Sequence, residues 1–458
     1  MKAQKVGSIR ETGNSFIDHN LDYIRQYYAT MSKHLADNTI QNILFLGETN
    51  PCFFKFYEQL RDIGKEYEFA WMRYKKEYTE TYTHGFIIKV PQNISRVNYH
   101  LLTEETELSI REVEKVENNS YYKWAYDNIM LAHPYDNPDH VRKMLLLSEQ
   151  YFLNVYDLMK PSAIIVWNPY VAFNHVAEYV ARERGIRVIY AESGVIPGTI
   201  AFSTWGDLGE SRPCIEYGKF LQLPISAKEV AYAEYIVAYL RRSGFNRNIQ
   251  PQVKNNVLLS RKKPIIFLAG QNDLECGLQP YDDNVTQYSP VFDSSEAALT
   301  YIAELALKND WNIVYKPHPI VARRELEKGT IPQNVIYLKQ GDINDIIDNC
   351  DVCITILSTT AYVSLTREKP VVMLGKIQLN GQGCTYEAFT KMEIEKVIKD
   401  ALKYGYTKEQ KRAFAEHVAR MCKYYLFDSL QPREIHYGQS VEDALTFIDR
   451  AIQGEAVF

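Results

Sequence analysis

Short apolar runs alternate along this chain with segments whose apolar residues recur at helical spacing. An apolar run that ends in a polar or glycine-containing loop is typical of a buried parallel strand. The predicted strands cover residues 42–46, 66–72, 86–90, 163–167, 187–190, 264–268, 311–315, 352–357 and 370–375. Helices are predicted within residues 1–40 and over 53–63, 171–180, 226–243, 294–307, 343–349, 408–426 and 441–452; apart from its strand, 79–136 is unassigned.

This alternation predicts an α/β protein with doubly wound sheets. A chain of 458 residues is too long for one comfortable core, so we expect two domains that face each other across a cleft. The polar segment 244–256 is the predicted linker. The predicted domains are residues 1–250 and 251–430, followed by a C-terminal segment, 431–458, whose helix could return to the first domain.

Two polar motifs directly follow predicted strands of the second domain. Lys316-Pro317-His318-Pro319 follows residues 311–315, and Ser358-Thr359-Thr360 follows residues 352–357. Ligands of open α/β sheets bind beyond the carboxyl ends of the strands, and ammonium, imidazole and hydroxyl groups suit a phosphate there. The alternatives are a rigid His-Pro turn and a helix N-cap. Gln271 and Asp273 follow another strand, where they either face the cleft or form the turn.

Composition narrows the class of protein. Hydrophobic residues make up 46% of the chain and charged residues 24%, which is ordinary for a soluble globular protein. The formal net charge of -5 argues against nucleic acid as the main partner. No apolar run is long enough to span a bilayer, and the first residues do not resemble a secretory signal, so we expect a cytoplasmic protein. The seven cysteines fit reduced thiols, and no metal or redox role is expected for Cys350 and Cys353.

Between about residues 42 and 385, the order of short motifs resembles the capsule polysaccharide biosynthesis family, which includes bacterial Kdo transferases. The motifs are Trp167-Asn168, Ala191-Glu192-Ser193-Gly194, Ile196-Pro197-Gly198-Thr199, Asp207-Leu208-Gly209, Gly270-Gln271-Asn272-Asp273, Asp283-Asn284, Lys316-Pro317-His318-Pro319, Asn344-Asp345-Ile346-Ile347, Thr355-Ile356-Leu357-Ser358-Thr359-Thr360, Lys369-Pro370-Val371-Val372 and Gly375. The resemblance, which extends to bacterial sialyltransferases, implies a GT-B fold with an N-terminal acceptor domain and a C-terminal nucleotide-sugar domain.

The resemblance also implies roles for individual residues. Lys316 and His318 would contact the nucleotide phosphate, and so would Ser358, Thr359 and Thr360 through hydroxyls and helix amides. Gln271 and Asp273 are further candidates for binding the nucleotide sugar.

The predicted catalytic residues are Glu192, Asp207 and His318. Glu192 would act as acid/base or nucleophile. Many relatives have two acidic residues before the glycine, whereas here the motif is Glu192-Ser193-Gly194, so Asp207 is the second candidate. Arg323 and Arg324 either pair with phosphate or a sugar carboxylate, or lie on a solvated helix face. His175 is expected to be packed or paired on its helix.

The predicted function is a glycosyltransferase of capsular or surface polysaccharide that needs no metal. It would transfer Kdo or a similar 2-keto acid sugar from a CMP-activated donor to a glycan or glycolipid acceptor. The alternatives are a CDP-polyol phosphotransferase of the teichoic-acid type and a catalytically silent GT-B binding module. A protein with this function could contact the inner face of the bacterial cytoplasmic membrane and capsule assembly proteins.

A cluster of basic residues near the C-terminus has two possible roles. The cluster either touches an anionic leaflet or forms a solvated helix face; it consists of Lys408, Lys411, Arg412, Arg420 and Lys423, with aromatic and apolar residues 424–427.

Overall fold

The computed structural model describes residues 11–34, 41–47, 51–73, 86–91, 94, 108–244, 246, 262–281, 288–319, 321, 331–429, 435–455 and 457–458. The chain divides into two units. The first comprises Met1–Glu192, Phe202–Thr204 and Ser440–Val457, and the second comprises Ser193–Ala201, Trp205–Gln439 and Phe458.

The first part of the chain alternates strands with helices in the predicted manner. Its elements are α1 (Ser15–His34), β1 (Gln41–Leu46), α2 (Pro51–Ile63), β2 (Tyr67–Arg73), β3 (Phe86–Lys89), α3 (Ile110–Asn118), α4 (Ser120–Ala132), α5 (Pro138–Met159), β4 (Ala163–Trp167), α6 (Ala172–Glu183) and β5 (Arg187–Ser193).

The five strands β1 to β5 are parallel and lie in the order β5-β4-β1-β2-β3. Leu46 of β1 is opposite both Met72 of β2 and Val166 of β4, so the carboxyl ends of these strands coincide. Every residue of β4 is buried, as expected for a strand covered by helices on both faces.

The remaining elements begin with β6 (Thr199–Ser203) and a short 3-10 turn (Leu208–Glu210). They continue with α7 (Arg212–Ile215), α8 (Tyr217–Leu221), α9 (Ala227–Ser243), β7 (Ile265–Ala269), α10 (Ser295–Asn309), β8 (Asn312–Lys316), β9 (Val335–Tyr337), α11 (Ile343–Asn349), β10 (Val352–Thr355), α12 (Thr360–Thr366), β11 (Val371–Met373), β12 (Tyr386–Glu387), α13 (Lys391–Tyr404), α14 (Lys408–Tyr424), β13 (Leu426–Asp428) and α15 (Val441–Ile452).

The sheet of the second unit has six parallel strands in the order β12-β11-β10-β7-β8-β9. Numbered from β7, this is the strand order 3-2-1-4-5-6 of the Rossmann fold. The first five strands of the other sheet follow the same order, with β1 and β4 at its centre. The predicted α/β class with two Rossmann-like sheets is therefore confirmed.

Three helices of the first unit, α3, α4 and α5, were not predicted from the sequence. Ser109 and Glu112 form a capping box at the start of α3, and Asn119 caps α4. Asn137 caps α5, which has a proline in its first turn. These caps are local signals that the sequence contains, and they mark the helix starts more clearly than the irregular apolar pattern of this region.

The division into units differs from the boundary predicted near residue 250. Residues 205–244, which include α9, belong to the second unit. Lys423 of α14 forms an ion pair with Glu229 of α9 at 2.9 Å and donates to the carbonyl of Pro224, so α9 is held by α14. Helix α15 belongs to the first unit. Most of the predicted linker lies outside the described residues.

His417 makes the stability of the second unit dependent on pH. Its side chain is 0% exposed on α14, and its Nε2 lies 2.9 Å from the Tyr362 hydroxyl of α12. Burial, with a smaller effect from Arg420, lowers the pKa of His417 from 6.5 to about 3. Between these values only the unfolded chain binds the proton, so stability falls as pH falls, by about 1.4 kcal/mol per pH unit.

We therefore expect His417→Gln to flatten this dependence. Between pH 7 and pH 5, the free energy of unfolding of the wild type should fall by about 2 kcal/mol more than that of the variant, because one proton-uptake site is lost. Urea unfolding at the two pH values measures this difference. The exposed His436→Gln is the control; equal pH dependence of wild type and His417→Gln would contradict the assignment.

Candidate functional site

The last residues of three neighbouring strands lie in one row across the second sheet. Lys316 of β8 is opposite Ala269 of β7, which is opposite Thr355 of β10. Neighbouring strands are about 4.8 Å apart, so the backbones of Lys316 and Thr355 are about 10 Å apart. The two polar motifs predicted from the sequence therefore leave the sheet at the same edge.

The strand order reverses between β7 and β10. From β7 the chain proceeds outward through β8 and β9, and it then returns to β10 on the other side of β7. Ligands of doubly wound sheets bind at such a switch point, beyond the carboxyl ends of the strands. Gln271 spans this point, since its Oε1 accepts a hydrogen bond of 2.8 Å from the backbone N–H of Leu357.

Gly270 allows β7 to approach the His-Pro loop closely. A Cβ at this position would lie 2.6 Å from the Tyr315 hydroxyl and 2.9 Å from the Cα of Pro317. The N–H of Gly270 donates to the carbonyl of Lys316 at 2.9 Å. Glycine at residue 270 therefore allows the start of the loop Pro317-His318-Pro319 to lie against β7.

The side chain of Lys316 is only 8% exposed. Burial lowers the pKa of its ammonium group, and the nearby Asp342 partly offsets this effect. Within the described part of the chain, this ammonium forms no hydrogen bond or ion pair. A buried cation without a bonded anion is unfavourable, so this position favours an anionic ligand.

The hydroxyl motif after β10 forms a local turn. The Oγ of Ser358 accepts from the N–H of Thr360 at 3.2 Å and donates to the Oγ1 of Thr360 at 2.9 Å. Ser358, Thr359 and Thr360 are half-buried, as is His318 at the end of β8. The turn role and the phosphate role are compatible, because a hydroxyl oxygen that is half-buried keeps capacity for a further partner.

Asp273 anchors the start of α10. Its two carboxylate oxygens accept from the N–H of Ser295 at 2.8 Å and from the Ser295 hydroxyl at 2.6 Å. Burial raises the pKa of Asp273, and the bonds from Ser295 partly counteract this. Asp273 therefore has a structural role at the start of α10, and its contact with a nucleotide sugar remains a prediction.

The two candidate catalytic carboxylates belong to different units. Glu192 is half-buried near the carboxyl end of β5 in the first unit. Asp207, in the second unit, is 4% exposed and immediately precedes the 3-10 turn at Leu208. Leu208 has a φ of 48°, a left-handed conformation that is unfavourable for leucine by about 1–3 kcal/mol. Backbone strain beside a buried carboxylate is typical of functional sites, which supports Asp207 as a candidate.

Polar residues after β11 were not singled out from the sequence. Gln378, Asn380 and Gln382 are buried in the loop between β11 and β12. Glu387 of β12 accepts from the N–H of Gly381 at 2.9 Å, and burial raises the pKa of Glu387. The sequence does contain a signal for this buried polar loop, because a run of amide and glycine residues follows a predicted strand directly, which is unusual for a simple turn.

Several weaker predictions can be compared with the structure. The ring of His175 packs against Trp124, at a centroid distance of 4.4 Å, and burial lowers its pKa to about 4. Cys350 and Cys353 are buried, and burial raises the pKa of both thiols. Arg323, Arg324 and Asp283-Asn284 lie outside the described residues.

The basic face of α14 is largely paired within the protein. Lys411 and Arg412 pair with Glu368 and Glu416, and Arg420 and Lys423 donate to the carbonyls of Leu223 and Pro224. Of the two alternatives for this segment, neither leaflet contact nor a solvated face fits residues 425–427. These three side chains are buried, because Leu426 and Phe427 belong to β13, which pairs with β6. In the described segments, no helix is both long and apolar enough to cross a membrane.

Two Rossmann-like units in one chain, with polar side chains at the switch point of the second sheet, define the building blocks of a GT-B protein. Residues 215–407 match the family model of the capsule polysaccharide biosynthesis proteins. The resemblance to this family is thereby confirmed over that segment, which is less than half of the chain and contains the candidate phosphate site. No curated protein sequence matches the chain.

The chain also has similarities to solved structures. The β-Kdo 2,7-transferase KpsC of Thermosulfurimonas dismutans shares 19% identity over 63% of this chain and 84% of that chain, with a TM-score of 0.41. The β-Kdo 2,4-transferase KpsC of the same organism shares 16% identity over 56% of this chain and 79% of that chain, with a TM-score of 0.42. The calicheamicin glycosyltransferase CalG4 shares 10% identity over 91% of this chain and 99% of that chain, with a TM-score of 0.35.

Gln271→Leu should destabilise the second unit by about 1–3 kcal/mol, because the buried N–H of Leu357 loses its acceptor. Gln340→Leu, at an exposed glutamine of the same unit, is the matched control. Urea unfolding compares the variants with the wild type. Equal stability of Gln271→Leu and wild type would show that this hydrogen bond does not hold the turn after β10.

Proposed function

We propose that this protein is a glycosyltransferase of capsular or surface polysaccharide synthesis. Its donor is a CMP-activated sugar, Kdo or a similar 2-keto acid sugar, and its acceptor is a glycan or a glycolipid. The family match over residues 215–407 supports the biological setting. The observation that carries the proposal is the largely buried Lys316 at the carboxyl edge of a Rossmann-like sheet, whose ammonium forms no hydrogen bond or ion pair among the described residues.

The phosphate of the donor is the group that this edge suits. In this proposal Lys316 and His318 bind the phosphate from the end of β8, and the hydroxyls of Ser358, Thr359 and Thr360 bind it from the end of β10. Gln271 and Asp273 support this edge from the loop after β7. Preorganised donors at the leaving phosphate stabilise the charge that develops as the glycosidic bond breaks.

The reaction itself is a displacement at the anomeric carbon. The acceptor hydroxyl oxygen forms the new bond to that carbon, and the bond from the carbon to the phosphate oxygen breaks. CMP leaves with the electron pair, and the proton of the acceptor hydroxyl passes to a carboxylate. Glu192 or Asp207 supplies this carboxylate, and either could instead stabilise an oxocarbenium-like centre. A lipid-linked acceptor would bring the protein to the inner face of the membrane and to the capsule assembly proteins.

Lys316→Met is expected to weaken the binding of CMP while it raises the stability of the protein. Because burial disfavours the charged form of this ammonium, its removal should raise the melting temperature, by about 2–4 °C for each 1 kcal/mol gained. Loss of the charge-assisted bond should weaken CMP binding about tenfold or more. Thermal shift with CMP, CDP and UDP measures both effects.

Lys339→Met, at an exposed lysine just after β9, is the control for the loss of a lysine. His318→Ala should also weaken binding of CMP. Stabilisation of the wild type by UDP alone would exclude a CMP donor. A larger effect of CDP than of CMP would favour the polyol phosphotransferase, and no stabilisation by any nucleotide would favour a silent module.

Glu192→Gln tests the carboxylate that the family resemblance points to. If Glu192 takes the acceptor proton, kcat should fall by about 10²–10⁴-fold while the affinity for CMP is unchanged. Asp207→Asn provides the parallel test of the second candidate, and Glu183→Gln on α6 is the surface control. A Glu192→Gln enzyme with full transfer activity would remove Glu192 from the chemistry.

A further inference from the structure

The outer face of α9 in the second unit carries a row of three exposed tyrosines. Tyr232, Tyr235 and Tyr239 are 42%, 47% and 36% exposed. Residues three and four positions apart lie on the same face of a helix, so the three rings follow one another along α9. We call this row the tyrosine stripe. The opposite side of the helix is buried within the unit, so the stripe belongs to the surface of the protein.

Contacts within the unit hold the rings of the tyrosine stripe in place. The planes of the Tyr232 and Tyr235 rings differ by 23°, and their centroids lie 6.2 Å apart. The Tyr232 hydroxyl donates to the carbonyl of His436 at 3.1 Å and accepts from the N–H of the same residue at 3.2 Å. The ring of Tyr239 lies 6.5 Å from that of the buried Tyr437. Because these contacts already orient the rings, a ligand that stacks on them loses less free energy in ordering them.

A cation lies beyond each end of the tyrosine stripe. Lys228 and Arg242 are exposed on the same face of α9, at equal distances in sequence from the central Tyr235. Within the described part of the chain, neither of these side chains forms an ion pair. The carboxylates of this helix, Glu229 and Glu234, lie about 100° or more around the helix axis from the stripe. The surface is therefore aromatic at its centre and positive at both ends.

The dimensions of this surface suit a glycan chain better than a single sugar. At a rise of about 1.5 Å per residue, Lys228 and Arg242 are about 21 Å apart along the helix. Successive tyrosines are about 4.5 and 6 Å apart along the axis, which is comparable to the spacing of consecutive pyranose rings in a glycan. A tyrosine ring offers an apolar face to the C–H groups of a sugar and keeps its hydroxyl in water. The cations at the two ends pair with carboxylates.

We propose that the tyrosine stripe, with Lys228 and Arg242, binds a polysaccharide chain that contains carboxylate-bearing sugars. None of these residues belongs to the candidate phosphate site, so the surface is a second contact with the growing glycan. The proposal rests on the proposed transferase function and adds a partner to it. A chain held on this face stays at a high effective concentration near the protein between successive additions.

Two other occupants suit this surface less well. An antiparallel pairing of α9 with a second copy about Tyr235 would place the Lys228 end of one helix against the Arg242 end of the other. A parallel pairing would place each cation beside its equivalent, so both arrangements bring like charges together. A lipid leaflet is bound by helices that insert Trp, Phe or Leu below the headgroups, whereas this face presents tyrosines.

Titration calorimetry with the full-length protein tests the surface without any need for turnover. The probes are a sialic acid dimer and octamer, as chains of a 2-keto acid sugar, and a neutral dextran octamer. We expect the sialic acid octamer to bind more tightly than the dimer or the dextran. Tyr235→Ala, which removes the central ring and keeps a good helix former, should weaken binding of the octamer about fivefold to tenfold. Tyr404→Ala, at a 58% exposed tyrosine of α13 in the same unit, is the matched control and should bind as wild type.

Arg242→Gln tests the positive end of the surface. Loss of an exposed charge pair should weaken binding of the sialic acid octamer about twofold to fivefold. Binding of the octamer to the variant should also depend less on salt than binding to the wild type. Arg111→Gln, at an exposed arginine of α3, is the control.

Equal affinity of wild type and Tyr235→Ala for the sialic acid octamer would overturn the proposal. An octamer that binds the wild type no more tightly than dextran would overturn it as well. Polyglutamate and phosphatidylglycerol vesicles probe other occupants, and Tyr235-dependent binding of either one without binding of the octamer would assign the face to an acidic protein or to a leaflet. Dimerisation in sedimentation that Tyr235→Ala abolishes would assign it to a second copy of the chain.

The donor is measured separately, so the two proposals can fail independently. If CMP stabilises the protein and binding of the octamer does not depend on Tyr235, the transferase proposal stands and the glycan surface is wrong. If no nucleotide binds but binding of the octamer depends on Tyr235, the glycan surface stands and the transferase proposal is wrong.

Discussion

The register of β8, β7 and β10 is the constraint on which the candidate phosphate site depends. Three parallel strands end in one row, so groups that are far apart in sequence leave the sheet together. Gly270 then lets Pro317 approach β7, and Gln271 ties the end of β7 to the turn after β10. The position of Lys316 is therefore fixed by the sheet rather than by one loop. A site whose residues lie at strand ends is positioned more precisely than a site on loops alone.

The strands and the edge of the second sheet could be predicted because their signals are local. A buried parallel strand is apolar throughout, and the polar residue after it marks its carboxyl end, as at Lys316. The hydrogen bond from Leu357 to Gln271 could not be predicted, because it joins residues 86 positions apart and depends on which strands are neighbours. The same holds for Trp71 and Gly47, whose contact exists only once β1 and β2 are paired. The boundary near residue 250 was misplaced because a polar segment after Gly244 resembles a linker, whereas the packing of α9 on α14 decides the unit.

Both sheets have a glycine at the equivalent position, directly after a central strand. In each sheet the first strand of the Rossmann order is followed by a glycine, Gly47 after β1 and Gly270 after β7. Each glycine admits a neighbouring strand's polar or aromatic group, the Trp71 indole in one case and the Tyr315 hydroxyl in the other. The two edges differ in what they present. One has a guanidinium beside two aromatic rings, and the other has an ammonium with hydroxyls and amides.

The burial of Lys316 has a consequence for the life of the protein in the cell. A ligand that pairs with this ammonium stabilises only the folded chain, so the fraction of unfolded molecules depends on how much of that ligand is present. Unfolded molecules are the ones that proteases remove. The abundance of the protein would then rise and fall with the supply of such a ligand.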